Sequence, residues 1–248
     1  MLMYVICILF LTILPTIFLG VYIYKKDLYE KESPKLLFSL FLAGIGATIV
    51  TIVISVFMEK IAPFFAADTL DIINYSYLEL FIYVFIGIAL VEEFSKWIFV
   101  KKITWRSREF NSLYDAIVYC VFVSLGFATI ENLLYALEIS TVQTVLLRAV
   151  LAVPGHAFDG VFMGYYLGRA KLFTLYKEEK KSKKALTLSL LVPTILHGAY
   201  DFVLYAEIKN SVFLVVFGGF ILFLYIAAFI CITKISKNTI SFMNETKE

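Results

Sequence analysis

Apolar runs long enough to cross a bilayer recur from one end of this 248-residue chain to the other. They cover 3–23, 36–57, 77–100, 113–137, 143–168, 185–206 and 211–233. As helices rising about 1.5 Å per residue, they each span roughly 30 Å of hydrocarbon. No remaining segment is long and polar enough to form a soluble domain. The sequence therefore predicts an all-α fold: a polytopic membrane helix bundle of about seven transmembrane helices (range seven to eight), forming one integral membrane domain over 1–248.

Composition agrees. The chain is 61% hydrophobic and 17% charged, against about 45–50% and 25% for a soluble domain. The stretch "IAPFFAADTLDIINYS" (61–76) predicts a short interfacial helix. The N-terminal "MLMYVICILFLTILPTIFLGVYIY" lacks a basic leader and a small-residue cleavage site, so it reads as a retained span rather than a signal peptide. Cys7, Cys120 and Cys231 have no short paired spacing, which argues against a disulfide framework or a cysteine metal site.

The net charge is only +2, but its distribution orients the chain. Lys25, Lys26, Lys31 and Lys35 fall in one connection, and Lys101, Lys102, Arg106 and Arg108 in another. Arg169, Lys171, Lys177, Lys180, Lys181, Lys183 and Lys184 fall in a third, and Lys234, Lys237 and Lys247 in the tail. The alternate connections hold Lys60, no basic residue, and Lys209. The positive-inside rule then puts the N-terminus outside and the C-terminus in the cytoplasm. Contact with anionic membrane lipids accounts for the basic loops, and no nucleic-acid partner is implied.

Against this background, the charges inside the spans demand a reason. Each costs at least roughly 2.5–3.5 kcal/mol at the bilayer centre unless paired or hydrated. In "ALVEEFSKWIFV", Glu92 and Lys96 are spaced i,i+4 and share a helix face, so Lys96 can neutralise Glu92. Glu93 points about 100° away, which leaves one carboxylate structural and the other free for proton transfer, with the assignment open. The bland reading is an ion pair snorkelling to the interface.

Only two histidines occur, His156 and His197, each about 12 residues from the cytoplasmic end of its span. Asp159 follows His156 by three residues and Asp201 follows His197 by four, spacings at which a carboxylate can take the second imidazole N–H. Pro154 and Gly155 predict a kink just before His156, while Gly160, Gly164 and Gly168 suit close helix packing. Glu131 and Asn132 lie about 18 residues into their span, too far up to meet Glu93 if the helices stand upright. The competing reading of Glu131 is an ion pair with Arg148, and Asp115 suits a cap at its helix start.

Carboxylates and imidazoles converging from several membrane helices suit hydrolysis of a peptide bond. In one mechanism His156 and His197, with Glu93 or Glu131, hold Zn²⁺ and the other glutamate moves the proton. In the other, a glutamate activates water without a metal. No H-E-x-x-H occurs, and neither Ser95 nor Ser124 has the setting of a serine nucleophile. A proton-coupled transporter would also bury such groups, but no internal repeat is visible. A non-enzymatic membrane protein has no need of them.

Four motifs in order, "EEFSK" (Glu92, Glu93, Lys96), "GFATIEN" (Phe127, Glu131, Asn132), "HAFDG" (His156, Gly160) and "HGAYD" (His197, Asp201), make the chain resemble the PrsW family of bacterial intramembrane proteases. That family is part of the wider group containing the type II CAAX prenyl endopeptidases. The resemblance covers roughly 75–205, the expected catalytic core. It implies a multi-pass protein of the bacterial cell membrane, with Glu92, Glu93, Glu131, His156 and His197 as catalytic residues. Lys96, Asn132, Asp159 and Asp201 would support them. Glu131 stands where the CAAX group has histidine. The resemblance further implies a single-span membrane substrate, an anti-sigma factor cut at site 1 on the extracytoplasmic side. The nearest enzymatic alternative is a CAAX-type prenyl-peptide protease. The wider group has been assigned both metal-dependent and metal-free mechanisms, so the choice between Zn²⁺ and no metal stays open.

Overall fold

The computed structural model describes residues 2–28, 30–66, 69–139, 141–207, 210 and 212–238. Lys209 and Lys247 lie outside these residues, as does the side chain of Cys7. Among the described residues there are helices and no β-strand. They are α1 (Leu2–Lys26), α2 (Pro34–Ile61), α3 (Thr69–Asn74), α4 (Tyr77–Ile82), α5 (Leu90–Thr104), α6 (Leu113–Ile139), α7 (Val142–Val150), α8 (Ala152–Leu175), α9 (Glu179–Glu207) and α10 (Val212–Asn238). A 3₁₀ turn covers Pro63–Ala66, and a π-helical segment, Tyr83–Ala89, joins α4 to α5. Helix therefore occupies all seven predicted spans. Among the described residues, five stretches are long and apolar enough to cross a membrane by length and composition: Pro34–Ile61, Leu113–Leu137, Val142–Leu175, Glu179–Ala206 and Val212–Asn238. The interfacial segment is a 3₁₀ turn followed by α3 rather than one helix.

Local sequence sets the helix ends. Ser33 caps α2, accepting from Leu36 N–H, with Pro34 in the first turn where its missing N–H is harmless. Ser76 and Glu79 form a reciprocal capping box at α4. Asp115 accepts the backbone N–H groups of Asn111 and Ser112 at 2.8 and 2.7 Å and so closes the start of α6, as its position predicts.

α6 is the central helix. In its apolar window 78% of residues are buried, against 22% for α2 and α10, so α6 packs on protein where the other two face outward. Side-chain volume at its contacts decides how close its neighbours come. A Cβ on Gly126 would lie 2.0 Å from the Phe41 carbonyl oxygen of α2, so the two backbones touch there. On the other side, a Cβ on Gly164 would lie 2.5 Å from the Ala116 carbonyl. Lipid tails are as apolar as the helices, so close packing takes over the role that hydrophobic burial plays in water.

The predicted kink falls earlier than expected. The chain breaks at Leu151 (φ −109°, ψ −53°), so span five is α7 plus α8, and Pro154 occupies the first turn of α8. Because Pro154 has no N–H, the Val150 carbonyl is left free, and the Tyr225 hydroxyl of α10 donates to it at 2.7 Å. The freed carbonyl is thus bonded by protein rather than opened to water.

Candidate active site

The π-helical turn before α5 ends with Leu90 N–H donating to the Phe85 carbonyl five residues back. Such widened turns re-aim the residues that follow them and recur at functional sites. Here the residues that follow are Glu92, Glu93 and Lys96, all buried.

The pairing among these three reverses the i,i+4 expectation. Lys96 Nζ donates to Glu93 Oε1 at 2.7 Å and stands 3.6 Å from Glu92 Oε2. At i,i+3 Glu93 is as accessible to the ammonium as Glu92, and partners from other helices fix the choice. Glu93 Oε1 also accepts from His197 Nδ1 at 2.9 Å. Oε2 of each glutamate is buried and accepts no hydrogen bond, but Glu92 lines a cavity, whereas Glu93 is fully buried with its Oε1 engaged twice.

The histidines are bonded from both sides. Lys96 Nζ lies 3.0 Å from His156 Nδ1, and an ammonium has no lone pair to offer, so Nδ1 accepts. His156 Nε2 therefore carries the ring proton and donates to Glu131 Oε2 at 2.7 Å. Asp159, expected to take that proton, does not; it is buried in the cavity wall instead. His197 meets its expected partner: Nε2 is 3.2 Å from Asp201 Oδ2. Both His197 nitrogens thus face carboxylates, an arrangement an imidazolium satisfies by donating twice. The two rings lie 5.2 Å apart at 80°.

Arg148 completes the set. Its Nη2 is 3.0 Å from Glu131 Oε2, and its Nε donates to Asn132 Oδ1 at 2.9 Å. The ion pair weighed as an alternative for Glu131 is therefore present together with the His156 bond. A continuous chain of ion pairs and hydrogen bonds runs Asp201–His197–Glu93–Lys96–His156–Glu131–Arg148, drawn from α9, α5, α8, α6 and α7. Charge-assisted bonds of this kind are the strong ones. Asn132 serves the chain by holding Arg148 rather than by facing the cavity.

The depth conflict between Glu131 and the α5 glutamates disappears because helix ends and apolar-run ends differ. Glu131 lies 18 residues past Leu113, His156 19 before Leu175 and His197 18 past Glu179, all about 27 Å from the basic ends of their helices. α5 stops earlier, and Lys171 Nζ donates to the Trp105 carbonyl at 2.7 Å. That bond pins the end of α5 about four residues inside the end of α8 and brings Glu92 level with His156.

The cavity holds about 350 Å³. Glu92, Glu131, His156, Asp159, His197 and Asp201 give it a polar floor. Ile88, Leu147, Leu151 and Leu204 give it apolar walls, and Tyr135, Tyr200, Tyr205 and Arg148 also line it. The tyrosines and Arg148 were not among the expected site residues. Arg148 was visible as an intramembrane charge; the tyrosines carry no comparable signal.

Two sets of side chains have metal-binding donors within 4.8 Å of one another at this centre: Glu93, His156, Asp159 and His197, and Glu92, Glu131 and His156. The Lys96 ammonium already sits 2.7 and 3.0 Å from two members of the first set, supplying the positive charge an ion would bring. Cations also stand beside the second set, Lys96 at 3.0 Å from His156 and Arg148 at 3.0 Å from Glu131, yet its donors suit a divalent ion. It faces the cavity, it contains the donorless Glu92 Oε2, and two carboxylates with one imidazole leave room for further ligands. Ligation through His156 Nε2 would release the proton that atom carries.

Comparison with known proteins gives a consistent answer. A family described as "PrsW family intramembrane metalloprotease" matches residues 32–232. A Protease PrsW of Oceanobacillus iheyensis is 42% identical over 167 residues, covering 67% of this chain and 74% of that protein. The Geobacillus kaustophilus relative of the same name is 37% identical over 216 residues, 86% of this chain and 85% of its own. That of Bacillus subtilis is 36% identical over 198 residues, 78% and 81%. No solved structure matches.

Proposed function

This chain belongs to the PrsW family of intramembrane metalloproteases, multi-pass membrane proteases of bacteria, and on that premise we propose that Glu92 is its general base. The observation that carries the reading is Glu92 Oε2, a buried carboxylate oxygen on the cavity wall without a donor. A water seated there loses a proton to Glu92 as its oxygen attacks the scissile carbonyl. The charge that builds on the carbonyl oxygen faces the positive His197 ring, whose two N–H groups stay with Glu93 and Asp201. Glu92 then returns its proton to the leaving amine, the C–N bond breaks, and the carboxylate is restored. Glu93 and Lys96 hold the two imidazoles and take no proton.

A divalent ion held by Glu92, Glu131 and His156 would supply Lewis-acid polarisation of the same carbonyl. Zn²⁺ suits that nitrogen and oxygen donor set.

The substrate is the one that the family resemblance implies, and depth bears on where it would be cut. The cavity lies about 27 Å from the basic ends of the helices. Because α8 and α9 run six or seven residues past their apolar runs, with seven spans, the N-terminus outside and the basic loops in the cytoplasm, the histidines lie about 18 Å into the hydrocarbon, just beyond the midplane in its extracytoplasmic half. This position supports site-1 cleavage of a single-span membrane protein, an anti-sigma factor in stress signalling. The test is wild type and Glu92→Gln in nanodiscs with a co-reconstituted single-span anti-sigma factor, fragments being mapped by mass spectrometry. One cut in the outer half of the span, made by wild type alone, is expected. Equal cleavage by both proteins would remove Glu92 from the mechanism, and a cut on the cytoplasmic side would overturn the orientation.

A further inference from the structure

Arg148 stands in the last turn of α7, a short helix that buries Val145 and Ala149 and leaves Leu146, Leu147 and Val150 exposed. Its side chain meets α6 at three points. Nη2 lies 3.0 Å from Glu131 Oε2, Nε donates to Asn132 Oδ1 at 2.9 Å, and the guanidinium lies 3.7 Å from the centre of the Tyr135 ring. Each contact removes a different freedom. The Asn132 bond sets the direction of the fork, the ring sets its plane, and Nη2 then comes to rest beside Glu131. A lysine could supply the charge but not the plane or the second bond.

The place it goes is the oxygen that His156 also uses. Glu131 Oε2 takes Nε2–H of His156 at 2.7 Å and the guanidinium at 3.0 Å. A hydrogen-bond donor and an ion-pair partner from different helices meet at one carboxylate oxygen, and the terminal carboxylate torsion is otherwise soft. Without the guanidinium, Glu131 would keep only the His156 ring as a partner at that oxygen, itself part of the cavity lining.

Resting on the protease reading above, we propose that Arg148 is a positioning residue that fixes the Glu131 carboxylate, and through it the His156 ring, from α7. It touches neither the attacking water nor the scissile bond. Partners that orient a reacting or ligating side chain typically change activity by about 10–100-fold when removed.

The experiment uses the full chain in nanodiscs and a fluorophore-labelled single-span peptide carrying the cleavage sequence mapped for wild type. Arg148→Met is expected to lower kcat about 10–100-fold with little change in KM, since positioning acts in the transition state. Arg148→Lys should recover part of the loss, and Asn132→Ala should reproduce part of it by freeing the fork. A raised KM with kcat retained would overturn positioning in favour of a substrate contact. A lowered unfolding midpoint with unchanged kcat per folded molecule would reduce Arg148 to a structural role. A substrate-free arm combines Arg148→Met with Glu131→Gln in thermal unfolding, where coupled shifts are expected and additive ones would overturn the pair. Coupling in a wild-type protein that cleaves nothing would instead count against the protease reading.

Discussion

The Lys96 ammonium lies 3.0 Å from His156 Nδ1, and this contact decides which imidazole nitrogen bears the proton. Lys96 is fully buried, lies over the Phe127 ring at 4.1 Å and bonds Glu93 at 2.7 Å. One cation thus compensates a carboxylate on its own helix and orients a ring on another.

Removing that cation leaves Glu93 as an uncompensated buried charge. Breaking a buried ion pair from one side typically costs about 3–5 kcal/mol. Lys96→Met is expected to lower the thermal unfolding midpoint strongly in detergent or nanodiscs, before any question of catalysis arises. A midpoint within a degree or two of wild type would show that the ammonium does not neutralise the site.

The two adjacent glutamates should separate experimentally. Glu92→Gln is expected to preserve the unfolding midpoint and lower kcat about 10²–10⁴-fold, the range of general-base catalysis. Glu93→Gln should lower both stability and activity, because Glu93 Oε1 accepts from Lys96 and His197 together. Circular dichroism melts alongside peptide cleavage rates would show the split. The reverse pattern would move the base to Glu93.

The helical columns, the charged residues inside them and the small residues between them were legible because lipid forbids unpaired polar groups and favours close packing. The partners were not. Spacing paired Lys96 with Glu92 at i,i+4, whereas His197 and His156, which arrive from α9 and α8, draw the shorter contact to Glu93. Depth misled for a simpler reason. Residues 169–175 and 179–184 are helical although polar, so α8 and α9 continue past the end of their apolar runs. Counting from the true ends brings Glu131 to the histidines. The break at Leu151 escaped notice because Pro154 looked like its cause, whereas proline is simply well placed in the first turn of the helix that follows.

Outside the spans, Glu32 provides a pH signature. Burial raises its pKa to about 9, with the nearby Asp115 adding to the effect. Its stabilising contribution is fully present below the ordinary glutamate pKa, where folded and unfolded states are both protonated. As pH rises the unfolded state ionises first, so stability is lost progressively until the folded pKa of about 9 is passed. Glu32→Gln is expected to flatten the decline of the unfolding midpoint between about pH 5 and 9 and to leave the midpoint higher at pH 8. An unchanged slope would show that Glu32 is solvated in the folded protein.

Zn²⁺ titration addresses the ion independently of any substrate. A ligand that binds the folded state alone raises stability by RT ln(1 + [L]/Kd), about 2.7 kcal/mol at a hundredfold excess over Kd. Chelator-treated protein should stay folded, because Lys96 and Arg148 already compensate Glu93 and Glu131. Added Zn²⁺ should then raise the unfolding midpoint, with release of a proton from His156 Nε2. Glu92→Gln should weaken the rise, since it replaces the carboxylate that brings the donorless oxygen. The Glu93→Gln background separates the two candidate sets: a rise that survives there places the ion among Glu92, Glu131 and His156, and one abolished only there places it deeper, where the ammonium now lies. A midpoint indifferent to Zn²⁺ in wild type, together with cleavage that survives chelation, would leave hydrolysis to Glu92 and water alone.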